Sequence, residues 1–244
     1  MTSMAVRTPQ ATWAAATTGA LASCAQLDYH LTTDEIRQHW RTAAGRLPRD
    51  PAALPELAAT TWTGTSSQHG HPLSLTPLHL AVATADVPLV HELLQAGADV
   101  RASARTTDWN CGGRPLHLAL WFDAGTETLA ALLHAGADPN DRADTYSRTH
   151  PLDYHHHTCS DDRVVAAMRA LLHYGADPTP LLYDEHPRQA ALQMAWPLAW
   201  SDAEQDPGLR QRMLDVVTPL LTHGGHGAAW AAQRLADIRS WPCG

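Results

Sequence analysis

The residues best suited to chemistry lie in one short stretch, residues 153–162, which reads DYHHHTCSDD. On a helix Asp153 would lie one turn from His157, and His155 one turn from Cys159, which is a workable geometry for pairs of zinc ligands. The chain has no HExxH motif and no distant Cys/His pair that would complete four ligands. A histidine-rich run on a helix is also commonly polar surface. We therefore predict no functional metal site and no cofactor, and a metal-binding protein or metal-dependent enzyme centred on these four residues is the alternative.

Other signatures of catalysis are missing from the sequence. It contains no GxSxG nucleophile motif and no glycine loop of the kind that cradles a phosphate. We predict a protein that is not an enzyme and has no catalytic residues.

The cysteines and the N-terminal stretch bear on localisation. Four scattered cysteines without a CxxC pair are typical of free thiols in a reducing cytoplasm. Arg7, the alanine-rich run 11–22 and the sequence Leu-Ala-Ser-Cys24 resemble a bacterial lipoprotein signal. The run contains threonines and a glycine and only one leucine, so an alanine-rich helix packed on the fold is favoured. We expect a cytoplasmic protein without membrane attachment; a periplasmic lipoprotein or secreted protein, with residues 1–23 outside the fold, is the alternative.

A repeated motif organises the rest of the chain. The stretch TPLHLAVATADVPLVHELLQAGADV begins at Thr76 and returns in altered form at residues 114, 150 and 190. Self-similarity at a spacing of 36 to 40 residues indicates stacked supersecondary units.

The first copy shows how one unit would fold. Thr76 is a good N-cap and Pro77 suits the first helical position, where an N–H is not needed. Apolar residues at a spacing of three and four predict a second helix with Leu93 on its buried side. Gly97 can then take the left-handed conformation that ends this helix. Each unit is predicted to be helix, turn, helix and loop, and to need its neighbours to bury its apolar faces.

These residues resemble the ankyrin repeat, whose TPLHxA motif is complete at residues 76–81 and lacks only the first residue at 114–119. The resemblance implies an all-α solenoid of helix-turn-helix repeats, with about four recognisable copies and irregular helical caps at both ends. It further implies that hairpin-like loops, or fingers, line a concave face together with the first helix of each repeat. The third copy departs from the motif at Asp153 and His155, and the fourth at Gln193.

Three regions follow from this pattern. Residues 1–61 are predicted to form an N-terminal helical cap or degenerate repeat, with a capping box at Thr32 to Glu35, a helix continuing through Trp40, and a short second helix at 52–59. Residues 62–227 hold the repeats, and 64–72 are expected to be a loop. Residues 228–244 are predicted to form a C-terminal capping helix.

Composition limits the choice of partner. The net charge of −8 disfavours nucleic acid and favours a protein partner with a basic surface. All 17 basic residues are arginine, which is best explained by a codon bias and suggests a bacterial source. We expect the protein to be a monomer by itself.

The predicted contact residues lie on enlarged fingers and on the first helices. Copies three and four are longer than copy one, and the extra residues are expected between their helices, at 159–163 and 200–210. Aromatic residues and arginine on exposed loops are typical of binding hot spots. For Phe122 a place in the core is equally compatible with the sequence. The predicted contacts are Arg101, Arg105, Trp109, Trp121, Phe122, Arg142, Tyr146, Arg148, His157, Tyr183, Trp196 and Trp200.

The sequence thus predicts a protein-binding module that holds its partner across the fingers and first helices. A toxin-neutralising immunity protein or a secreted effector would be a protein of this same binding class. Fold does not specify the partner, because a repeat surface acquires its specificity from a few residues.

Overall fold

The structure is a computed structural model. The described residues are 9–27, 31–67, 70–107, 113–142, 150–153 and 161–178, with single positions between 195 and 236. The chain folds into two compact units, residues 1–137 with 143–148, and residues 138–142 with 149–244. We call them unit 1 and unit 2 and describe each by itself.

The described part of unit 1 is mostly helical. A 3-10 turn at Pro51–Ala53 precedes the third helix. The helices are α1 (Pro9–Ala25), α2 (Thr33–Ala44), α3 (Leu54–Ala59), α4 (Pro77–Ala83), α5 (Val87–Gln95), α6 (Pro115–Trp121) and α7 (Gly125–His134).

The local signals of the first copy act as predicted. The Thr76 side chain caps α4 by accepting a hydrogen bond from the backbone N–H of His79, and Pro77 is its first residue. The Asp86 carboxylate caps α5 by accepting from the N–H of Leu89 at 3.2 Å. Gly97, two residues after the end of α5, has φ +91°, a conformation that costs glycine little. Each helix boundary therefore follows from residues within a few positions of it.

Packing brings corresponding helices of successive copies together. Helices α4 and α6, which begin each copy, lie against each other, and so do the second helices α5 and α7. Before them, α2 packs on α4 and α3 packs on α5. The pair α2–α3 therefore packs on α4–α5 as α6–α7 does, and whether it is a degenerate repeat stays a prediction.

A two-stranded sheet corrects the expectation of a purely helical fold. Strand β1 (Trp62–Thr65) pairs antiparallel with β2 (Pro72–Leu75), so that the stretch predicted to be a loop forms a hairpin. Leu73 and Leu75 are buried and alternate with more exposed residues, which is the pattern of a strand with one buried face. Four residues per strand are too few for this alternation to be distinguished from a polar loop by sequence alone.

The first two helices pack within unit 1. Ala20, Leu21 and Cys24 on α1 are buried, and α1 contacts α2, α4 and both strands. None of the described helices is both long and apolar enough to cross a membrane. In α2, the predicted capping box between Thr32 and Glu35 is present.

Unit 2 contains the third copy. A 3-10 turn spans Pro151–Asp153, and helix α8 runs from Asp161 to His173 with Leu171 fully buried. The extra residues of this copy were expected between its helices, but those from Asp161 onward belong to α8. The exposed carboxylate of Asp162 suits this first turn, because negative charge is favourable at a helix N-terminus. The first helix of copy three and all but single positions of copy four lie outside the described residues.

The second helices supply a direct test of this packing. Leu93, Leu132 and Leu171 hold equivalent positions in α5, α7 and α8, and all are fully buried. Replacing each by alanine should lower the free energy of unfolding by about 2 to 5 kcal/mol, because a cavity is left in a packed core. Urea unfolding at equilibrium measures the loss. The partly exposed Leu94 is the control, and an equal loss for Leu94→Ala would contradict the assigned faces.

Candidate partner-binding surface

The loop between α5 and α6, residues 101–113, is called the first finger here. Its backbone continues the β1–β2 hairpin: Arg105 and Ser74 exchange two N–H···O hydrogen bonds of 2.8 and 2.9 Å. Ala104 and Gly113 exchange a second pair, of 2.8 and 3.0 Å. The described part of the finger is thus held on both sides by backbone pairing, and its side chains project from a fixed base.

Two of the predicted contact residues are exposed on this finger. Arg101 follows a turn in which its N–H donates to the Asp99 carboxylate at 2.8 Å, and its carbonyl accepts from the Arg114 guanidinium at 2.6 Å. Arg105 is exposed as well, although its backbone is paired with β2. Local positive charge therefore lies on a chain whose net charge is negative.

The motif histidines fix the base of the finger. His79 is fully buried, and its Nδ1 lies 2.7 Å from the Thr76 hydroxyl. Burial lowers the pKa of His79 to about 4, although the neighbouring backbone of Ala102 and Gly113 acts in the opposite direction. The ring is therefore neutral at pH 7.

In the next copy His117 accepts the backbone N–H of Arg114 at Nδ1, at 3.1 Å. Gly113 has φ +109°, and a Cβ placed there would lie 3.2 Å from the Cβ of His117. Both the conformation and the close approach therefore favour glycine at the return of the finger.

The two aromatic residues at the end of α6 differ in exposure. Trp121 is half-buried, whereas Phe122 is buried. The Phe122 ring lies 5.3 Å from that of Trp40, and its carbonyl accepts from the Arg37 guanidinium at 3.1 Å. The prediction of Phe122 as a contact residue is therefore corrected, because the turn after α6 directs its ring against α2.

In unit 2 the predicted contact residue Arg142 is exposed. Nearby, the Asn140 amide oxygen accepts from the N–H of Asp177 at 2.6 Å, and its Nδ2 donates to the carbonyl of Gly175 at 3.0 Å. His150, whose Nδ1 accepts the N–H of Leu152, has its Nε2 3.3 Å from the same amide oxygen. Asn140 thus links the loops that follow the second and third copies.

Sequence reasoning did not select Asn140. Its only signal was its position two residues after the Gly-Ala-Asp turn of the second copy, where side chains of asparagine commonly bond to backbone. Burial also lowers the pKa of His150 to about 4, with a smaller contribution from the positive charge of Arg142. With Nδ1 accepting, the neutral ring carries its proton on Nε2 and donates it to Asn140.

Several predicted site residues lie outside the described residues. Among the metal candidates only Asp153 is placed, in the 3-10 turn, and its side chain is not described. Across the described part of the chain, no group of three or more His, Cys, Asp or Glu residues is arranged to hold a metal ion. The predicted residues outside the description are Trp109, Tyr146, Arg148, His155, His157, Cys159, Tyr183, Trp196 and Trp200.

The buried His79 predicts a dependence of stability on pH. Its pKa in the folded protein is about 4, below the 6.5 of a free histidine, so the unfolded chain takes up its proton first as the pH falls. The neutral His79 contributes its full share to the free energy of unfolding above pH 6.5. This contribution is lost progressively as the pH falls towards 4, and the loss amounts to about 3 kcal/mol.

Urea unfolding at pH 7.5 and pH 4.5 checks this prediction. We expect His79→Gln to be less stable at pH 7.5 and to lose less than the unchanged protein between the two pH values. His91→Gln, at an exposed position of α5, is the control. If both variants keep the full pH dependence, His79 is not its source.

Comparison with known proteins identifies the repeat. Residues 74–105, which comprise the end of β2, helices α4 and α5 and the start of the first finger, match the family model for the ankyrin repeat. A search of curated proteins found no significant match. Residues 74–105, with their capped helices and buried motif histidine, therefore contain an ankyrin repeat.

Proposed function

We propose that this protein is a non-enzymatic binding module that holds a protein partner on its first finger and on Trp121, the last residue of α6. Ankyrin repeats generally mediate protein–protein interaction, and the family is generally non-enzymatic. Within that class, the described residues of unit 1 point to a particular surface.

The observation that carries the proposal is the exposure of Arg101 and Arg105 on the described part of the first finger, whose backbone is paired on both sides. The hydrogen bonds of Arg105 with Ser74, and of Ala104 with Gly113, hold this part of the loop before a partner arrives. A preorganised loop loses little conformational entropy on binding, so more of the contact energy contributes to affinity. Arginine is also enriched at interfaces, where its planar guanidinium pairs with carboxylates.

Trp121 supplies the apolar part of the proposed surface. It is the last residue of α6 and is half-buried, so that part of the indole remains accessible while the rest is held by packing. A large aromatic side chain in this state gains contact area at a low cost in entropy, as hot-spot residues do.

Charge indicates the character of the partner. Arg101 and Arg105 would meet acidic groups, while the net charge of −8 attracts a protein that is basic overall. With 25 acidic and 17 basic residues the chain is poorly suited to a nucleic-acid backbone. The protein is proposed to act as a cytoplasmic monomer that binds one such protein.

The surface can be tested by substitution. The unchanged chain would be immobilised to capture its partner from a lysate of the source cell, and binding of the purified partner would then be measured by surface plasmon resonance. Trp121→Ala should raise Kd by about 30-fold, as expected for a hot spot of about 2 kcal/mol. Arg101→Ala and Arg105→Ala should mainly slow association, with a smaller effect at high salt.

Arg49→Ala is the matched control. Arg49 is exposed near the turn between α2 and α3 and pairs with the Asp86 carboxylate, and a surface ion pair contributes little to stability. Circular dichroism should show that all four variants are folded. Unchanged binding by a folded Arg101→Ala/Arg105→Ala double variant would rule out the finger as the contact surface.

A further inference from the structure

The β1–β2 hairpin presents an apolar face to α1. In the register of the sheet Trp62 lies opposite Leu75 and Gly64 opposite Leu73, so these four residues share one face. Both leucines are buried, and α1 contacts both strands. The Trp62 ring lies so close over Gly64 that a Cβ there would overlap it. Without α1, an apolar strip of the hairpin would therefore be exposed to water.

Helix α1 also reaches beyond the hairpin. It contacts α2 and α4, and its C-terminal end meets the first finger through Thr107. The N–H of Thr107 donates to the carbonyl of Ala25 at 2.9 Å, and its hydroxyl donates to the carbonyl of Leu27. The hairpin, α4 and the first finger thus form one surface, which we call the inner face of unit 1, and α1 lies across it.

The composition of α1 indicates that a partner helix could displace it from the inner face. Its 17 residues include no charged side chain. Among its described side chains, the buried ones are mainly small, with Leu21 as the largest, Trp13 is half-buried, and the exposed ones are alanine, threonine and glycine. Small side chains bury little apolar area, so each turn of α1 is held less strongly than a turn of the leucine-rich α4. The hydrogen bonds from Thr107 also hold the C-terminal end of α1, where helix carbonyls lack partners within the helix.

We propose that the inner face of unit 1 is a helix-docking surface, and that an uncharged, alanine-rich helix of a partner binds there by displacing α1. Helix α1 is the evidence for the chemistry of that partner, because it shows which kind of segment this face accepts. The inference rests on the proposed binding function and adds to it a class of ligand and an internal competitor. Binding is then weaker than the face itself would allow, because α1 must first leave.

Cys24 offers a reporter of this displacement. It is fully buried on α1, and burial raises the pKa of its thiol to about 12. The thiolate is the nucleophile in alkylation, so Cys24 should react only when α1 leaves the inner face. Mass spectrometry of proteolytic peptides distinguishes its alkylation from that of the other three cysteines.

The test uses the full chain and a synthetic peptide of residues 9–27 carrying Cys24→Ser as the probe. Thr107→Val should increase the rate of Cys24 alkylation by about fivefold, the change expected for one lost hydrogen bond. Added peptide should increase it further in a saturable manner. Thr128→Val is the control, because it removes a buried hydroxyl bond to the Ala124 carbonyl within α7 of the same unit. We expect the alkylation rate of this control to remain that of the unchanged chain.

Three results would overturn the inference. The first is Cys24 alkylation that occurs only at the rate of global unfolding. The second is a rate that the peptide leaves unchanged, and the third is a dimer of the full chain in light scattering, which would make a second copy the occupant. Native-state hydrogen exchange on the unchanged chain is independent of whether Thr107→Val folds: amides of α1 should exchange faster than those of α6, and equal rates would show that α1 is not replaceable.

The two proposals fail separately. If Cys24 proves inaccessible while substitutions of Arg101 and Arg105 still weaken capture of a protein, the finger binds a partner and α1 is a permanent part of the fold. If the peptide displaces α1 but those substitutions have no effect, the inner face is a docking surface and the finger is not.

Discussion

Complete burial of α4 is the constraint on which unit 1 depends. All seven residues from Pro77 to Ala83 are buried, so this short helix has no side that can face water. A helix that is apolar all round is stable only inside a protein, and α4 is accordingly packed by α1, α2, α3, α5 and α6. The repeat that carries the clearest motif is therefore the one that its neighbours must surround.

The burial of α4 also determines the hydrogen bonding and the protonation state of the polar residues at its start. The Thr76 hydroxyl and the Nδ1 of His79 form a hydrogen bond at the start of α4, and the histidine remains neutral because a charge there would be costly.

Several of the residues predicted to contact a partner can be placed in the structure, and their role in binding stays a prediction. Arg101 and Arg105 are exposed, as expected for a finger, and the backbone pairing that fixes them was not foreseen. For Phe122 the sequence left the core and the contact surface open, because the direction of one side chain after a helix end depends on the partner that it meets, here Trp40. Asn140 was missed because its hydrogen bonds join turns 35 and 37 residues apart.

The sequence by itself determined the repeats and their helices: caps at Thr76 and Asp86, proline at the first position, and left-handed glycines after the last turn act over a few residues. Only the tertiary structure decided that residues 62–75 form a hairpin and that α1 lies on its apolar face. Neither carries a strong local signal, since the strands are four residues long and the buried and exposed sides of α1 are both built largely of small residues. Their positions depend on contacts between segments distant in sequence, where the free energy comes from covering apolar surface and not from local propensity.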